Sequence, residues 1–411
     1  MDFKRLKLKN WQQFKAIDLQ FNHQLTVITG ANGSGKTTLL SILAIHHGWQ
    51  NSSLAVPKKD KLTKVMRFFN GLFNEAALSN GENIGTIEYG NGQEAQIVVP
   101  GSNVAQYNLN LANQQPVSCF FIPSHRSLFR YQPITQIALN INDKNLAFQR
   151  VSGSNRNRYL GSADQPNSFY IKETLISWSI FGRGNEDMDP NPQLIEYYLG
   201  FQDVLTKILP RDLGFRKFAI RNNEIVLVCD SGEFIIDGSS GGISALIDMT
   251  WQIYMFSTKE NSSFTVVIDE VENHLHPTMQ RRLLPDLLKA FPEVKFIVST
   301  HSPLMVGSVK DSSTYVLRYD DKRRVFAEKL DIANQAKNAL DILDEVLGVS
   351  FTIPIWAEQE LNIIVDKFSK DKIDKRTLTS LRNELSNIGM EDLVPEALDN
   401  VIGKHQDDKV K

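Results

Sequence analysis

Nine consecutive residues, Gly30-Ala31-Asn32-Gly33-Ser34-Gly35-Lys36-Thr37-Thr38, carry the spacing GxxxxGK[ST]. Glycines in such a run let backbone N–H groups turn inward around phosphates. The lysine reaches the β and γ oxygens, and the hydroxyl after it ligates Mg²⁺. The apolar run Leu25 to Thr29 lies before the turn and a helical pattern begins at about Lys36, the strand and helix context that this chemistry needs. ATP and Mg²⁺ are the expected ligands, with Thr37 on the metal.

A phosphate cradle needs a carboxylate for the metal and a base for the attacking water. The apolar strand Phe264 to Ile268 ends in Asp269-Glu270. Asp269 is expected to hold Mg²⁺ through water, and Glu270 to orient and deprotonate the nucleophile. The next strand ends in Ser299-Thr300-His301-Ser302-Pro303. This puts an imidazole at the carboxyl edge of the sheet, where open α/β sheets bind ligands. His301 is therefore expected at the γ-phosphate. Gly238-Ser239-Ser240-Gly241-Gly242 precedes a run with helical spacing at Ile243, Leu246, Ile247 and Thr250. A helix N-terminus with serine hydroxyls and free N–H groups is a good anion site. His274 and His276 have a spacing compatible with metal ligation. Asp187-Met188-Asp189 has the DxD pattern of Toprim nucleases but sits in a Gly/Asn/Pro loop with no apolar strand before it.

The elements that must position these groups follow from periodicity. Residues 3 to 21 alternate as two strands, and TIEYGNGQEAQIVV (86 to 99) reads as a hairpin. Residues 58 to 70 are predicted to form a basic amphipathic helix. Val117 to Ile122 is a buried strand, and VSGSNRNRYLGSADQPNS (151 to 168) reads as a mobile loop. Helices are predicted near 171 to 181 and 193 to 208, with a meander over 215 to 237. From 264 the strands and helices alternate, which implies a parallel sheet covered by helices. Leu340, Leu343, Val346 and Leu347 have helical spacing in a C-terminal appendage.

The order of the P-loop, Asp269-Glu270 continuing as VENHLHP, and STHSP after the next strand resembles ABC-type ATPases of the SMC, RecF and OLD group. The opening LKLKNWQQFKAIDLQF is similar to that group's N-terminal strands. The matching pieces span about residues 3 to 45 and 237 to 305. The resemblance implies an α/β fold: an ABC-type P-loop ATPase with an N-terminal antiparallel β subsheet, a mixed or parallel core sheet, a compact insertion and a helical C-terminal tail. It divides the chain into a split ATPase domain (1–50 and 210–330), an insertion (51–209) and a helical docking or assembly region (331–411). It also implies roles: Lys36, Glu270 and His301 in catalysis, Thr37 and Asp269 on the metal, and Ser239 and Gly241 as contacts to the γ-phosphate of an opposite copy. Gly238 and Gly242 depart from the usual LSSGE-like signature. Gln132 and Gln136 are candidates for the glutamine loop, and the HLHP stretch is expected to face the partner copy. Because one chain supplies one P-loop and one signature segment, an ATP-stabilised homodimer is expected.

Composition narrows the alternatives. The 411 residues hold 45 Lys plus Arg against 47 Asp plus Glu, a net charge of -2, which excludes a wholly basic nucleic-acid binder. Seven basic residues (Arg126, Arg130, Lys144, Arg150, Arg156, Arg158, Lys172) against two acidic ones still crowd residues 124 to 172, so DNA could bind there. Arg126 is also a candidate neighbour of the nucleotide. Two cysteines in apolar runs, no signal segment and no bilayer-length apolar stretch point to a cytoplasmic protein without membrane contact. The 232 residues between Lys36 and Asp269 lack heptads, so coiled-coil arms are excluded.

Stand-alone ATPase subunits of prokaryotic anti-phage systems such as Septu and PARIS share this look, and their companion is a separate effector, a nuclease. The alternative is a RecF-like DNA-repair ATPase that clamps DNA itself. A transporter nucleotide-binding subunit fits poorly, since the insertion is large and the signature atypical.

Overall fold

Alternating apolar residues build the first layer. Phe3–Trp11 (β1) and Phe14–Gln20 (β2) pair antiparallel with Leu6 opposite Leu19 and Leu8 opposite Ile17, so one face of the hairpin is buried. Leu25–Gly30 (β3) is buried throughout and leads through the glycine-rich turn into Lys36–Ala44 (α1). The computed structural model describes residues 1–50, 52–59, 66–69, 81–100, 105–139, 143–162, 165–330, 355–369, 375–387, 389–395, 397–398 and 401–402.

Short strands follow at Ser53–Leu54 (β4), Val56–Lys59 (β5) and Met66–Phe69 (β6), then the hairpin Glu82–Tyr89 (β7) and Glu94–Val99 (β8), and Gln106–Tyr107 (β9), Asn110–Ala112 (β10) and Cys119–Ile122 (β11). Three helices, Lys144–Tyr159 (α2), Asn167–Arg183 (α3) and Pro192–Ile208 (α4), precede the meander Phe215–Arg221 (β12), Glu224–Cys229 (β13) and Gly232–Ile235 (β14). The remainder of this unit is Gly241–Phe256 (α5), Thr265–Ile268 (β15), Pro277–Ala290 (α6), Lys295–Ser299 (β16), Pro303–Val306 (α7), Ser312–Tyr319 (β17) and Val325–Leu330 (β18).

Eleven strands form one sheet in the order β10-β8-β7-β1-β2-β18-β17-β3-β16-β15-β11. The stretch β17-β3-β16-β15-β11 is parallel, and β2-β1-β7-β8-β10 is antiparallel. Strands with helices on both faces must be apolar at every position. Period-two geometry then sorts the side chains between two cores: Phe120, Ile122, Val266, Ile268, Phe296 and Val298 face the helices α2 to α6, while Cys119, Phe121, Val267 and Ile297 face α1 and the N-terminal strands. The α/β fold with an antiparallel subsheet and a parallel core is thus present. Strands from within 51–209 (β7, β8, β10 and β11) are members of the main sheet. Both cysteines are buried and unbridged, and burial pushes the Cys119 thiol up to about 12.

Contacts group residues 1–342 into one unit and 343–411 into a second. The second contains Ile355–Phe368 (α8) and Lys375–Asn387 (α9), joined by Leu361, Val365, Phe368, Leu381 and Leu385. Leu340, Leu343, Val346 and Leu347 lie outside the described residues. No helix among the described residues is long and apolar enough to cross a membrane.

Two expectations are corrected. The segment read as a helix over 58 to 70 contributes strands where it is described, with Val56 opposite Phe69 and Lys59 opposite Met66; cross-strand pairing overrides the local amphipathic pattern. Most of the stretch 151 to 168 is helix where it is described, for α2 runs through Tyr159 and α3 starts at Asn167. Its Gly, Ser and Asn residues disguise a helix capped by Asp143, whose carboxylate accepts from Leu146 N at 2.7 Å, and packed through Ala147, Phe148, Val151 and Asn155.

The basic tract is also largely consumed inside the fold. The Lys172 ammonium is fully buried and donates to Glu224 at 2.9 Å, to the Gln132 carbonyl at 2.7 Å and to Asp237. Arg150 pairs with Glu173, Arg156 donates to the His47 carbonyl, and Arg158 to Ser154 and the Gln165 carbonyl. Arg126 and Lys144 are buried. Of the seven, Arg130 alone is exposed to solvent, so the tract presents no continuous positive face to a DNA backbone.

Removing the Lys172 cation strands the buried Asp237 carboxylate and leaves the partly exposed Glu224 beside it without its counter-charge. Lys172→Met should lower unfolding free energy by about 3–5 kcal/mol. Arg221→Ala, which breaks an exposed pair with Glu233, should leave the urea midpoint nearly unmoved. Equal midpoints for the two variants would contradict this assignment.

Candidate functional site

The carboxyl ends of β3, β16 and β15 lie side by side, which brings three sequence-distant segments to one edge. The turn after β3 has glycine conformations at two critical points. Gly35 caps α1 at φ 96°, and a Cβ there would meet Phe14 Cζ at 2.4 Å. Gly30 has φ 142°, and its Cβ would meet the Leu317 carbonyl at 2.7 Å. Both approaches exclude a side chain, which is why glycine stands at these two points of the turn.

Lys36 is buried at the start of α1, and its Nζ donates to the carbonyls of Gly30 at 2.9 Å and Ala31 at 3.0 Å. Burial lowers its pKa from the ordinary 10.5 to about 8, while the carboxylates of Asp269, Glu270 and Glu272 pull the other way. Two buried hydroxyls at this turn, Thr29 Oγ1 and Ser34 Oγ, have no hydrogen-bond partner. Ala31, Asn32, Gly33 and Thr37 are exposed on the rim, with Thr38 partly buried behind them. An ammonium resting on carbonyls and two buried hydroxyls with no partner among the described residues fit a nucleotide phosphate with its cation.

At the end of β15, Asp269 is buried and accepts from Ser299 Oγ at 2.6 Å; the same hydroxyl accepts from Glu270 N at 2.7 Å. One serine thereby fixes both acidic residues from the neighbouring strand. Glu270 occupies the left-handed region at φ 44°, unusual for a residue with a Cβ and a sign that its surroundings over-determine it. Asn273 Nδ2 donates to Glu270 Oε2 at 3.0 Å. His301 Nε2 stands 4.0 Å from Glu270 Oε1, and its backbone N–H donates to Glu272. Burial, aided by the Lys36 charge, lowers the imidazole pKa, so the ring is predominantly neutral near pH 7. Glu270 and His301 remain partly open to solvent, where a water can reach them.

Ser239, Ser240 and Gly241 form the start of α5 as expected. Ser240 is its N-cap without a side-chain cap bond, and the Ser239 hydroxyl is buried and unpartnered. Their neighbours are in the HLHP stretch: a Cβ on Gly242 would meet the His274 carbonyl at 3.1 Å. His276 caps α6 through Thr278, a structural use of its ring, and the described residues contain no cluster of three metal-ligating side chains. Asp187 and Asp189 lie in the turn between α3 and α4. Gln136 is exposed, and the Gln132 carbonyl serves Lys172.

Sequence reasoning missed three contributors. Ser299, inside STHSP, is the brace of Asp269 and Glu270. Asn273 orients Glu270. Arg126, foreseen only as a neighbour of the nucleotide, donates to the carbonyls of Asp269, Glu270, Val271 and Asn273. A hydroxyl at a strand end next to a DE pair is the signal that could have identified Ser299.

Residues 5–159 match the family model described as "AAA domain", and residues 229–307 match "AAA domain, putative AbiEii toxin, Type IV TA system". The chain is 20% identical over 398 residues to the Septu protein PtuA of Bacillus mycoides (strain KBAB4), covering 93% of this chain and 50% of that protein. It therefore spans half the length of that relative. It is 22% identical over 395 residues to the Septu protein PtuA of Bacillus thuringiensis, covering 90% of this chain and 91% of that one. Over 104 residues it is 40% identical to the Retron Vc95 probable ATPase of Vibrio cholerae serotype O1 biovar El Tor, covering 25% of this chain and 20% of that protein. In its phosphate cradle, in the carboxylate pair that follows one strand of the parallel sheet and in these similarities, the chain is similar to the P-loop ATPases of the SMC, RecF and OLD-like group.

Proposed function

We propose that this chain binds ATP with Mg²⁺, hydrolyses it, and uses ATP-stabilised pairing with a second copy to control a separate effector, a nuclease, in anti-phage defence. The observation that carries the ATPase reading is the convergence of Lys36, Asp269, Glu270 and His301 at one sheet edge. The effector and its setting rest on the resemblance to Septu and retron ATPases, and the C-terminal region 331–411 is the candidate docking surface.

In this mechanism the N–H groups of 31 to 37 and the Lys36 ammonium bind the β and γ phosphates. Thr37 and Asp269 would hold Mg²⁺, which when bound neutralises developing charge on those phosphates. Glu270, steadied by Asn273, accepts a proton from the attacking water. The neutral His301 lies where it can donate to a γ oxygen. Among the described residues Ser239 Oγ has no hydrogen-bond partner and Ser240 makes no side-chain cap to the first turn of α5, which supports a γ-phosphate supplied by an opposite copy. The division into an ATPase domain of 1–50 and 210–330 and an insertion of 51–209 remains part of this proposal. The internal use of the basic tract weighs against direct DNA clamping through 124 to 172.

Lys36→Ala should abolish ATP binding, whereas Glu270→Gln should keep ATP, lower kcat by about 10²–10⁴-fold and run as a dimer in light scattering with ATP. A monomeric Glu270→Gln protein at saturating ATP would sink the pairing, and equal loss of affinity in both variants would sink Glu270 as the base.

Lys36 also sets a pH dependence. The phosphates need the charged amine, and in the free protein burial has lowered its pKa to about 8. Affinity should be flat below that pH and fall about tenfold per unit above it, since binding must then take up a proton. Titration calorimetry at about pH 9 in buffers of different ionisation enthalpy measures this uptake directly; binding without proton uptake would refute it.

A further inference from the structure

The Arg126 guanidinium is buried, and its hydrogen bonds go to main-chain oxygens. NH2 donates to Glu270 O at 2.9 Å and Asp269 O at 3.3 Å, and NH1 to Val271 O and Asn273 O, each at 3.4 Å. One planar fork thus gathers four carbonyls of the turn in which Glu270 sits at φ 44° and His274 at φ 68°. Asn273, held through its carbonyl, also donates its side-chain amide to Glu270. Arg126 therefore holds both the backbone of Glu270 and the residue that orients its carboxylate.

The other side of Arg126 leads to α5. The adjacent Ser127 Oγ accepts from Asn167 N at 3.2 Å, and Asn167 Nδ2 donates to Asp248 Oδ1 at 2.6 Å and Asn155 Oδ1 at 2.9 Å. Gln252 Nε2 donates to Asp248 Oδ2 at 3.0 Å, and Gln252 Oε1 accepts from Asn155 Nδ2 at 3.2 Å. All five side chains are buried. Asp248 is also the first among the carboxylates acting on the Arg126 charge. It lies two turns into α5, whose first residues are Ser240, the N-cap, and Gly241.

We propose that Arg126 is a positioning residue for Glu270, and that the Ser127–Asn167–Asp248 chain makes the pose of Glu270 depend on the seat of α5. This rests on the ATPase reading. The N-terminus of α5 serves the nucleotide of the opposite copy, whereas Glu270 serves its own, so the buried chain ties one site to the other. A shift of α5 toward a phosphate moves Asp248 and Asn167, and with them the fork that holds the catalytic turn. Misplacing a catalytic group by about 1 Å lowers rate by about a hundredfold without touching ground-state binding.

The test uses the full chain, a fluorescent ATP analogue for affinity and steady-state turnover for kcat. Arg126→Lys, which cannot span four carbonyls, and Asp248→Asn should bind the analogue within about threefold of the parent while kcat falls about tenfold to a hundredfold. The double variant should fall no further than Arg126→Lys alone, because both changes cut the same chain. Parental kcat in both single variants, with Lys36→Ala inactive, overturns the proposal and leaves the ATPase reading standing; fully additive losses overturn the coupling. A parent protein that does not hydrolyse ATP fails the ATPase reading instead. Should Asp248→Asn melt early, Ser127→Ala decides by the same readout: reduced kcat at unchanged affinity supports the chain, and unchanged kcat overturns it.

Discussion

One ammonium must stay charged while water is withheld from it, and the geometry around Lys36 answers that constraint. Burial alone would drive the amine neutral. The carbonyls of Gly30 and Ala31 accept its hydrogen bonds, and the carboxylates of Asp269, Glu270 and Glu272 supply opposing charge. Those carboxylates repel each other, and a hydrogen-bond donor to each offsets part of that cost. Ser299 fixes Asp269, Asn273 fixes Glu270, and the His301 N–H holds Glu272. The fixing groups come from β16 and the turn after β15, so the site exists only because these strands are adjacent and parallel.

Parallel adjacency has its own demand, namely strands buried on both faces. That is why the runs LTVIT, CFFI, TVVI and KFIVS show almost no polar interruption, and why the sheet and its site were legible in the sequence. The P-loop, the acidic pair, the edge histidine and the signature helix all fall at turns where a periodic apolar run stops. Strand or helix period and stopping point are local properties, which a single sequence displays.

What escaped notice depends on partners far along the chain. Residues 151 to 159 look like a loop by composition, yet Asn155 meets Gln252 almost a hundred positions away, and that contact makes a polar helix face an interior one. Arg126 and Lys172 look like members of a basic patch, yet each is buried against groups the local sequence does not announce. A charge count over a window treats every cation as exposed. Here the surplus around residues 124 to 172 is answered by Glu173, Glu224, Asp237 and backbone carbonyls, three of those carboxylates lying outside the window.

The same long-range polar contacts bear on how a nucleotide site could report its state. An apolar core accommodates a small helix shift by sliding, because dispersion contacts are numerous and individually weak. A buried carboxylate held by two amides cannot slide so freely, since a broken bond leaves a desolvated charge. Asp248, fixed by Asn167 and Gln252, makes α5 move together with the start of α3. Ser127 then passes that constraint to the segment that carries Arg126. The polar interior between α2, α3 and α5 therefore has a mechanical consequence that an apolar filling of the same volume would lack: α5 and the turn that carries Glu270 are tied through directional bonds that meet at Arg126 and Ser127.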